Sequence, residues 1–215
     1  MIVNERYTTY LNSLYPELSP VLKEIQKEAL ETYVPIIRPE TVNLLQTLIR
    51  MNKPKRILEV GAAVGFSGNL IAETAGEDAQ IITIENYEPR IPIARANFAR
   101  CNHDKQITLL EGDAQDILPT LEGEFDFIFM DAAKGQYINF WPEIKRLIAD
   151  NGVIVTDNVL QDGDIIESRY AITRRNRTIH KRMRDYLYEL THDEDFSTTI
   201  LPLGDGVSIS VKGKK

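Results

Sequence analysis

Arg56-Ile57-Leu58-Glu59-Val60-Gly61-Ala62-Ala63-Val64-Gly65-Phe66-Ser67 is the stretch on which the fold turns. A short β-type run ends in small residues, and a helical pattern opens near residue 66. Strand, small-residue loop, helix is the arrangement that lets a backbone approach a nucleotide-like ligand closely. Ala63 stands where a middle glycine is often found. The competing reading is a tight strand-to-helix turn with no ligand.

Outward from this stretch the pattern repeats. Strand-like runs lie at 80–84, 107–110, 125–130 and 153–156, with helical stretches near 66–75, 89–101, 114–121 and 136–149. Repeated β-α units imply a mostly parallel sheet covered by helices on both faces. Upstream, residues 4–50 read as helical, broken near Pro16, Pro20, Pro35 and Pro39. Val42, Leu45 and Ile49 keep helical spacing there. Downstream, a helix is expected at 174–190, with Ile179, Met183, Tyr186, Leu187 and Leu190 on its apolar stripe. Strand-like pieces at 196–201 and 207–212 flank Gly204-Asp205-Gly206, a strong turn signal. The expected α/β architecture is one domain over 1–215. A helical cap (1–50) precedes a core (51–215) with a seven-stranded sheet closed by an antiparallel hairpin.

The composition is that of an ordinary soluble globular protein, with 43% hydrophobic and 27% charged residues. No apolar run approaches the roughly 18 residues of a membrane span, and the first residues lack the design of a signal peptide. Cys101 is the only cysteine, so no internal disulfide can form and a reducing cytoplasm is the simplest location. The net charge of −7 argues against a general nucleic-acid binder. The charge is uneven, however. Arg169, Arg174, Arg175, Arg177, Lys181, Arg182 and Arg184 fall within 169–184 with no acid among them. A local basic patch on an acidic body is the expectation.

Each strand end carries chemistry. The second strand ends in Glu85, placed to accept hydrogen bonds from ribose hydroxyls. The third ends in Glu111-Gly112-Asp113-Ala114, where an acid can meet an adenine amino group. NAD and S-adenosylmethionine both fit these features. The fourth strand ends in Asp131 and the fifth in Asp157-Asn158. Adjacent parallel strands would bring these to one edge as an oxygen-only ligand set that suits Mg²⁺. His103, His180 and His192 are dispersed and expected on the surface, so no zinc cluster is implied. Lys134 follows Asp131 by three residues. A neighbouring cation disfavours an ammonium, which would ready this amine to take a proton. A surface lysine paired to an acid is the alternative.

With these residues in view, the chain resembles the cation-dependent, catechol-type O-methyltransferases over roughly 35–212. The resemblance rests on Glu59-x-Gly61, Ser67, Glu85, Gly112-Asp113-Ala114, Asp131-x-x-Lys134 and Asp157-Asn158. It implies a Rossmann-like class I methyltransferase fold. It further implies Mg²⁺ or another divalent cation at Asp131, Asp157 and Asn158, with Lys134 as general base. Ile37, Glu59, Gly61, Ser67, Glu85, Asp113, Ala114 and Asp131 would bind S-adenosylmethionine. Members act on catechols, caffeoyl thioesters and a modified nucleoside.

The chain is similar to a bacterial branch that methylates 5-hydroxyuridine at the tRNA wobble position. The similarity lies in Val34-Pro35-Ile36, Asp131-Ala132-Ala133-Lys134-Gly135-Gln136-Tyr137, Thr156-Asp157-Asn158-Val159-Leu160 and Gly204-Asp205-Gly206. That branch implies a tRNA anticodon loop as partner and a homodimer with N-terminal helices at its interface. Arg174, Arg175, Arg177, Lys181, Arg182 and Arg184 would then meet RNA phosphates along one helix face near the active-site mouth. A solvated charged face is the bland reading. Two other functions remain open: a methyltransferase for small vicinal diphenols, and a noncatalytic nucleotide- or RNA-binding protein on the same scaffold.

Overall fold

Strand-forming runs pair as their β-branched and aromatic content dictates. They are β1 (Arg56–Val60), β2 (Gln80–Glu85), β3 (Ile107–Glu111), β4 (Phe125–Met130), β5 (Ile148–Thr156), β6 (Phe196–Leu201) and β7 (Val207–Lys212). In the computed structural model, which describes residues 3–213, they form one sheet in the order β3-β2-β1-β4-β5-β7-β6. β1 to β5 run parallel, while β7 inserts antiparallel between β5 and β6. The chain winds outward from β1 to β3, then returns to place β4 on the other side of β1. That reversal opens a crevice beyond the carboxyl ends of β1 and β4.

Helices α1 (Glu5–Leu14), α2 (Pro20–Glu31), α3 (Pro39–Asn52), α4 (Phe66–Ala75), α5 (Ile91–Arg100), α6 (Ala114–Ile117), α7 (Tyr137–Leu147) and α8 (Arg177–His192) complete the chain. Pro20 and Pro39 occupy first-turn positions of α2 and α3. There the missing N–H costs nothing and the fixed φ favours the helix. Lys53, in the left-handed region, ends α3 just before β1. No described helix is long and apolar enough to cross a membrane.

The sheet separates two apolar cores. On one face Ile57, Ile81, Phe127, Phe129 and Val155 pack with Leu22 and Ile25 of α2, Leu45 and Ile49 of α3, and Leu70 of α4. On the other, Leu58, Val60, Ile128, Met130 and Ile154 pack with Phe140, Trp141 and Ile144 of α7 and Met183, Tyr186 and Leu190 of α8. Because successive strand residues point to opposite faces, both core sets come from the same strands. The N-terminal helices thus share a core with the sheet.

Three expectations are corrected. The helix expected at 136–149 ends at Leu147, and β5 begins at Ile148, which pairs with Phe125. Val153 then pairs with Phe127, so the strand takes up a bulge, with Asn151 in the left-handed region. Buried Ile148 gains more from the sheet than from another helical position. Second, α8 starts at Arg177, leaving Arg174 and Arg175 in the preceding turn. Third, His180 is buried at 3% exposure, while Ile179 is 38% exposed. His180, not Ile179, continues the helical spacing of Met183, Tyr186 and Leu190, so sequence position on the helix decides its burial.

Phe129 is fully buried. Phe129→Ala should lower unfolding free energy by about 3–5 kcal/mol. Urea titration with an unchanged slope would report it, and a loss below about 1 kcal/mol would contradict this account of the core.

Candidate active site

The parallel ladders continue past the strand ends and carry the loops with them. Gly61 N–H donates to Ile84 O (3.0 Å), Gly112 N–H to Glu85 O (2.9 Å), Asp131 N–H to Val60 O (3.0 Å) and Asp157 N–H to Met130 O (2.9 Å). Five strand ends are therefore held in one plane around the crevice. The cavity there measures about 670 Å³, and Gly61, Glu85, Asp113, Ala114, Asp131, Lys134, Asp157 and Asn158 all line it.

The loop after β1 needs glycine at its first position. Gly61 has φ +104°, and a Cβ there would lie 2.2 Å from the Asp131 carbonyl oxygen. Ala63 also adopts a left-handed φ, +46°. Its N–H is pinned by Glu85 Oε2 at 2.6 Å. The other Glu85 oxygen accepts from the N–H groups of Asn86 (3.0 Å) and Tyr87 (2.8 Å). Glu85 thus shapes two cavity loops with the same carboxylate that faces the ligand space. Asp113 lines the cavity while Oδ1 caps α6 by accepting from Gln115 N–H (2.8 Å).

Three residues expected to bind cofactor lie behind the wall. Ile37 is buried in the apolar core, and its neighbour Ile36 lines the cavity instead. Ser67 is only 7% exposed and Glu59 is fully buried. Neither lines the cavity. Glu59 Oε2 accepts from Thr83 Oγ1 at 2.5 Å, joining β1 to β2. Burial pushes its carboxyl up to about 7 against the hydrogen bonds of Ser67 and Thr83. A strand residue pointing into the sheet's helix layer cannot also point into the crevice beyond the strand end.

On the other side of the crevice, Asp131 and Asp157 come together from β4 and β5. Burial pushes Asp131 up to about 6, against the Lys134 charge and a hydrogen bond from Asn158. Asp157 rises to about 7, first through burial and then through the Asp131 charge. Asn158 Nδ2 donates to Asp131 Oδ1 at 2.9 Å, and its backbone N–H to Asp157 Oδ1 at 2.7 Å. Asn158 holds φ +64°, which turns it back toward Asp131. A half-turn of its amide would present a third oxygen. The donor set is hard and oxygen-only, and Lys134 offsets only part of its negative charge, so it fits a divalent cation. Among the described residues no three His, Cys, Asp or Glu side chains cluster as metal ligands; here the third donor is an amide.

Two features of the site went unread in the sequence. Tyr137 is fully buried, and its hydroxyl donates to Ala132 O (3.2 Å) and Asp157 O (3.3 Å), bracing the loops after β4 and β5. Burial holds its phenol well above the usual range. At the rim, Arg38 Nη2 pairs with Asp205 Oδ1 (2.6 Å) and reaches Asp162 Oδ1 (3.4 Å). From the sequence, Asp205 reads only as part of the Gly204-Asp205-Gly206 turn.

The basic segment is less uniform than expected. Lys181 Nζ bonds Asp185 Oδ2 (2.5 Å), an acid one turn on from Lys181 and immediately after the all-basic run. Arg177 donates to Ile172 O (3.2 Å), Arg182 to Gly135 O (3.2 Å) and Arg184 to Ile165 O (3.5 Å). These guanidiniums are partly occupied with the loops bordering the cavity, and Arg182 reaches the residue next to Lys134. Arg174 and Arg175 are exposed and make no hydrogen bond or ion pair among the described residues.

Glu59 yields a pH test. Its folded value, about 7, lies above the ordinary 4.5. Its contribution is therefore complete below about 4.5 and lost as pH rises through 7. Glu59→Gln should gain stability relative to wild type between about pH 5 and about pH 8. Parallel urea curves at both pH values would contradict this burial argument.

Comparison with known proteins narrows the chemistry of this crevice. The family model described as O-methyltransferase matches residues 12–213. Caffeoyl-CoA O-methyltransferase 1 of Eucalyptus globulus is 30% identical, over 92% of this chain and 83% of its own. A catechol O-methyltransferase of Niastella koreensis is 34% identical over 61% of each chain. The S-adenosylhomocysteine-bound methyltransferase PaMTH1 of Podospora anserina has a TM-score of 0.87 at 28% identity, covering 99% of this chain and 97% of that one. The match spans nearly the whole chain, and the protein belongs to the O-methyltransferase family and is an S-adenosylmethionine-dependent O-methyltransferase.

Proposed function

We propose that the enzyme methylates one of two neighbouring oxygens on a ring, with a divalent cation held by Asp131, Asp157 and Asn158. Mg²⁺ suits this donor set best. The observation that carries the reading is the buried carboxylate pair, pushed up to about 6 and about 7, opening on the cavity beside Lys134. When bound, the cation would orient the two acceptor oxygens and acidify the hydroxyl. Lys134 Nζ takes the hydroxyl proton. Gly61, Glu85, Asp113 and Ala114 would hold S-adenosylmethionine across the switch point, where positioning of attacker and methyl supplies much of the rate. One O–C bond forms, one S–C bond breaks, and no protein side chain is methylated.

The acceptor we favour is 5-hydroxyuridine at the tRNA wobble position. Its 5-hydroxyl and 4-carbonyl are vicinal oxygens, and an anticodon loop offers an unstacked base. Arginines at the cavity border support this reading, with Arg182 bonded beside Lys134 and Arg174 and Arg175 exposed. An acceptor of this kind places the enzyme in the cytoplasm. The homodimer implied by the bacterial branch would use α1, which leaves Tyr7, Tyr10, Leu11 and Leu14 exposed at helical spacing. A small diphenol is the second reading, favoured by relatives that act on catechol or caffeoyl-CoA.

Lys134→Ala should cut turnover by roughly 10²–10⁴-fold. Affinity for S-adenosylhomocysteine, measured by calorimetry, should stay within about twofold, since the proton acceptor is not needed to hold cofactor. Unchanged turnover would remove Lys134 from the base role.

Nucleoside mass spectrometry should detect 5-methoxyuridine after incubation of hydroxyuridine-bearing tRNA with enzyme, S-adenosylmethionine and Mg²⁺. Its absence, with catechol methylated, would favour the diphenol reading. Replacing Arg174 and Arg175 by Ala should flatten the log-affinity against log-salt slope by roughly 0.7–0.9 per lost phosphate contact.

A further inference from the structure

The loop between the site and α8 carries an aromatic side chain that neither the fold nor the reaction uses. Tyr170 is 87% exposed. Its backbone is not loose. Tyr170 N–H donates to Ser168 Oγ (3.1 Å), and the N–H groups of Ala171 (2.9 Å) and Ile172 (3.3 Å) donate to Ser168 O. Ile165 and Ile172 are buried on either side of this turn. Arg184 and Arg177 hold the carbonyls of those same two residues. A turn anchored at both shoulders thus presents a phenol to solvent at its tip.

The surrounding charge indicates what this tip faces. The loop's acids, Asp162, Asp164 and Glu167, all precede the turn. From Arg169 to Arg184 every charged side chain is basic. Arg169, Arg174 and Arg175 are exposed like Tyr170 itself. The loop begins at Asn158 in the cavity wall, and α8 reaches back to Gly135 beside Lys134. An aromatic tip among arginines is the composition that stacks an unpaired base while the backbone phosphates are neutralised. Anchoring lowers the ordering cost of such a contact.

We infer that Tyr170 is a stacking platform for an unpaired base neighbouring the methylated nucleotide, and so a determinant of RNA over small acceptors. The inference rests on the RNA reading above. Tyr170 lies outside the cavity wall, so it acts on binding and not on the chemical step.

The test compares wild type, Tyr170→Ala and Tyr170→Phe on two acceptors: an anticodon stem-loop RNA carrying 5-hydroxyuridine, and free catechol. Tyr170→Ala should raise KM for the RNA roughly five- to hundredfold. Its kcat and its catechol kinetics should stay at wild-type values. Tyr170→Phe, which keeps the π-face, should restore the RNA KM. An unchanged RNA KM in Tyr170→Ala overturns the stacking role alone. Equal losses on RNA and catechol also overturn it, because they report damage to the fold. A wild-type enzyme that methylates catechol but not the RNA overturns the RNA reading, and this inference with it.

Discussion

A side-chain carbon at Gly61 would sit 2.2 Å from the carbonyl oxygen of Asp131. The loop after β1 can therefore close on the end of β4 only with glycine there. This contact lies where the winding order of the sheet reverses, and both halves of the active site hang from it. On one side Glu85 pins Ala63 in a left-handed conformation and shapes the loop after β2. On the other, Asp131 meets Asp157 and Asn158. A looser approach would separate the loops after β1 and β2 from the acidic pair, and methyl transfer tolerates little misplacement.

The acidic pair imposes the second constraint. Two buried carboxyls, each pushed up by desolvation and Asp157 further by its neighbour, are costly to ionise together. Asn158 bonds both carboxyls, and Tyr137 braces the loops that carry them. Such an arrangement stores a demand for positive charge at the strand ends, which Lys134 meets in part and a divalent cation would meet fully. The scaffold that keeps it is ordinary: two apolar cores, one on each face of the sheet, built from alternate residues of the same strands.

Much of this was legible from residue order. The alternation of β-type runs and helical stretches announced the parallel sheet, and the Gly-Asp-Gly turn announced the hairpin. Gly61, Glu85, Asp131, Lys134, Asp157 and Asn158 all reach the cavity because strand ends are readable as boundaries. Glu59, Ser67 and Ile37 do not, because motif position says nothing about which way a side chain points. His180 went inside and Ile179 outside for a related reason: the three-residue step from Met183 outweighed polarity. Lys181 found an acid at the next turn, and Arg177, Arg182 and Arg184 found carbonyls, so a run of basic residues overstated the free charge.

By itself, the sequence determined the element order, the strand ends and the types of donor gathered there, since these follow from local periodicity and chemistry. Only the tertiary structure decided that Arg38 bridges to Asp162 and Asp205. The same holds for Tyr137 joining two loops and for which carboxylates are buried enough to resist ionisation. Those facts depend on distances between segments far apart in the chain and on how much water each group loses. Neither quantity is encoded in any local window of residues.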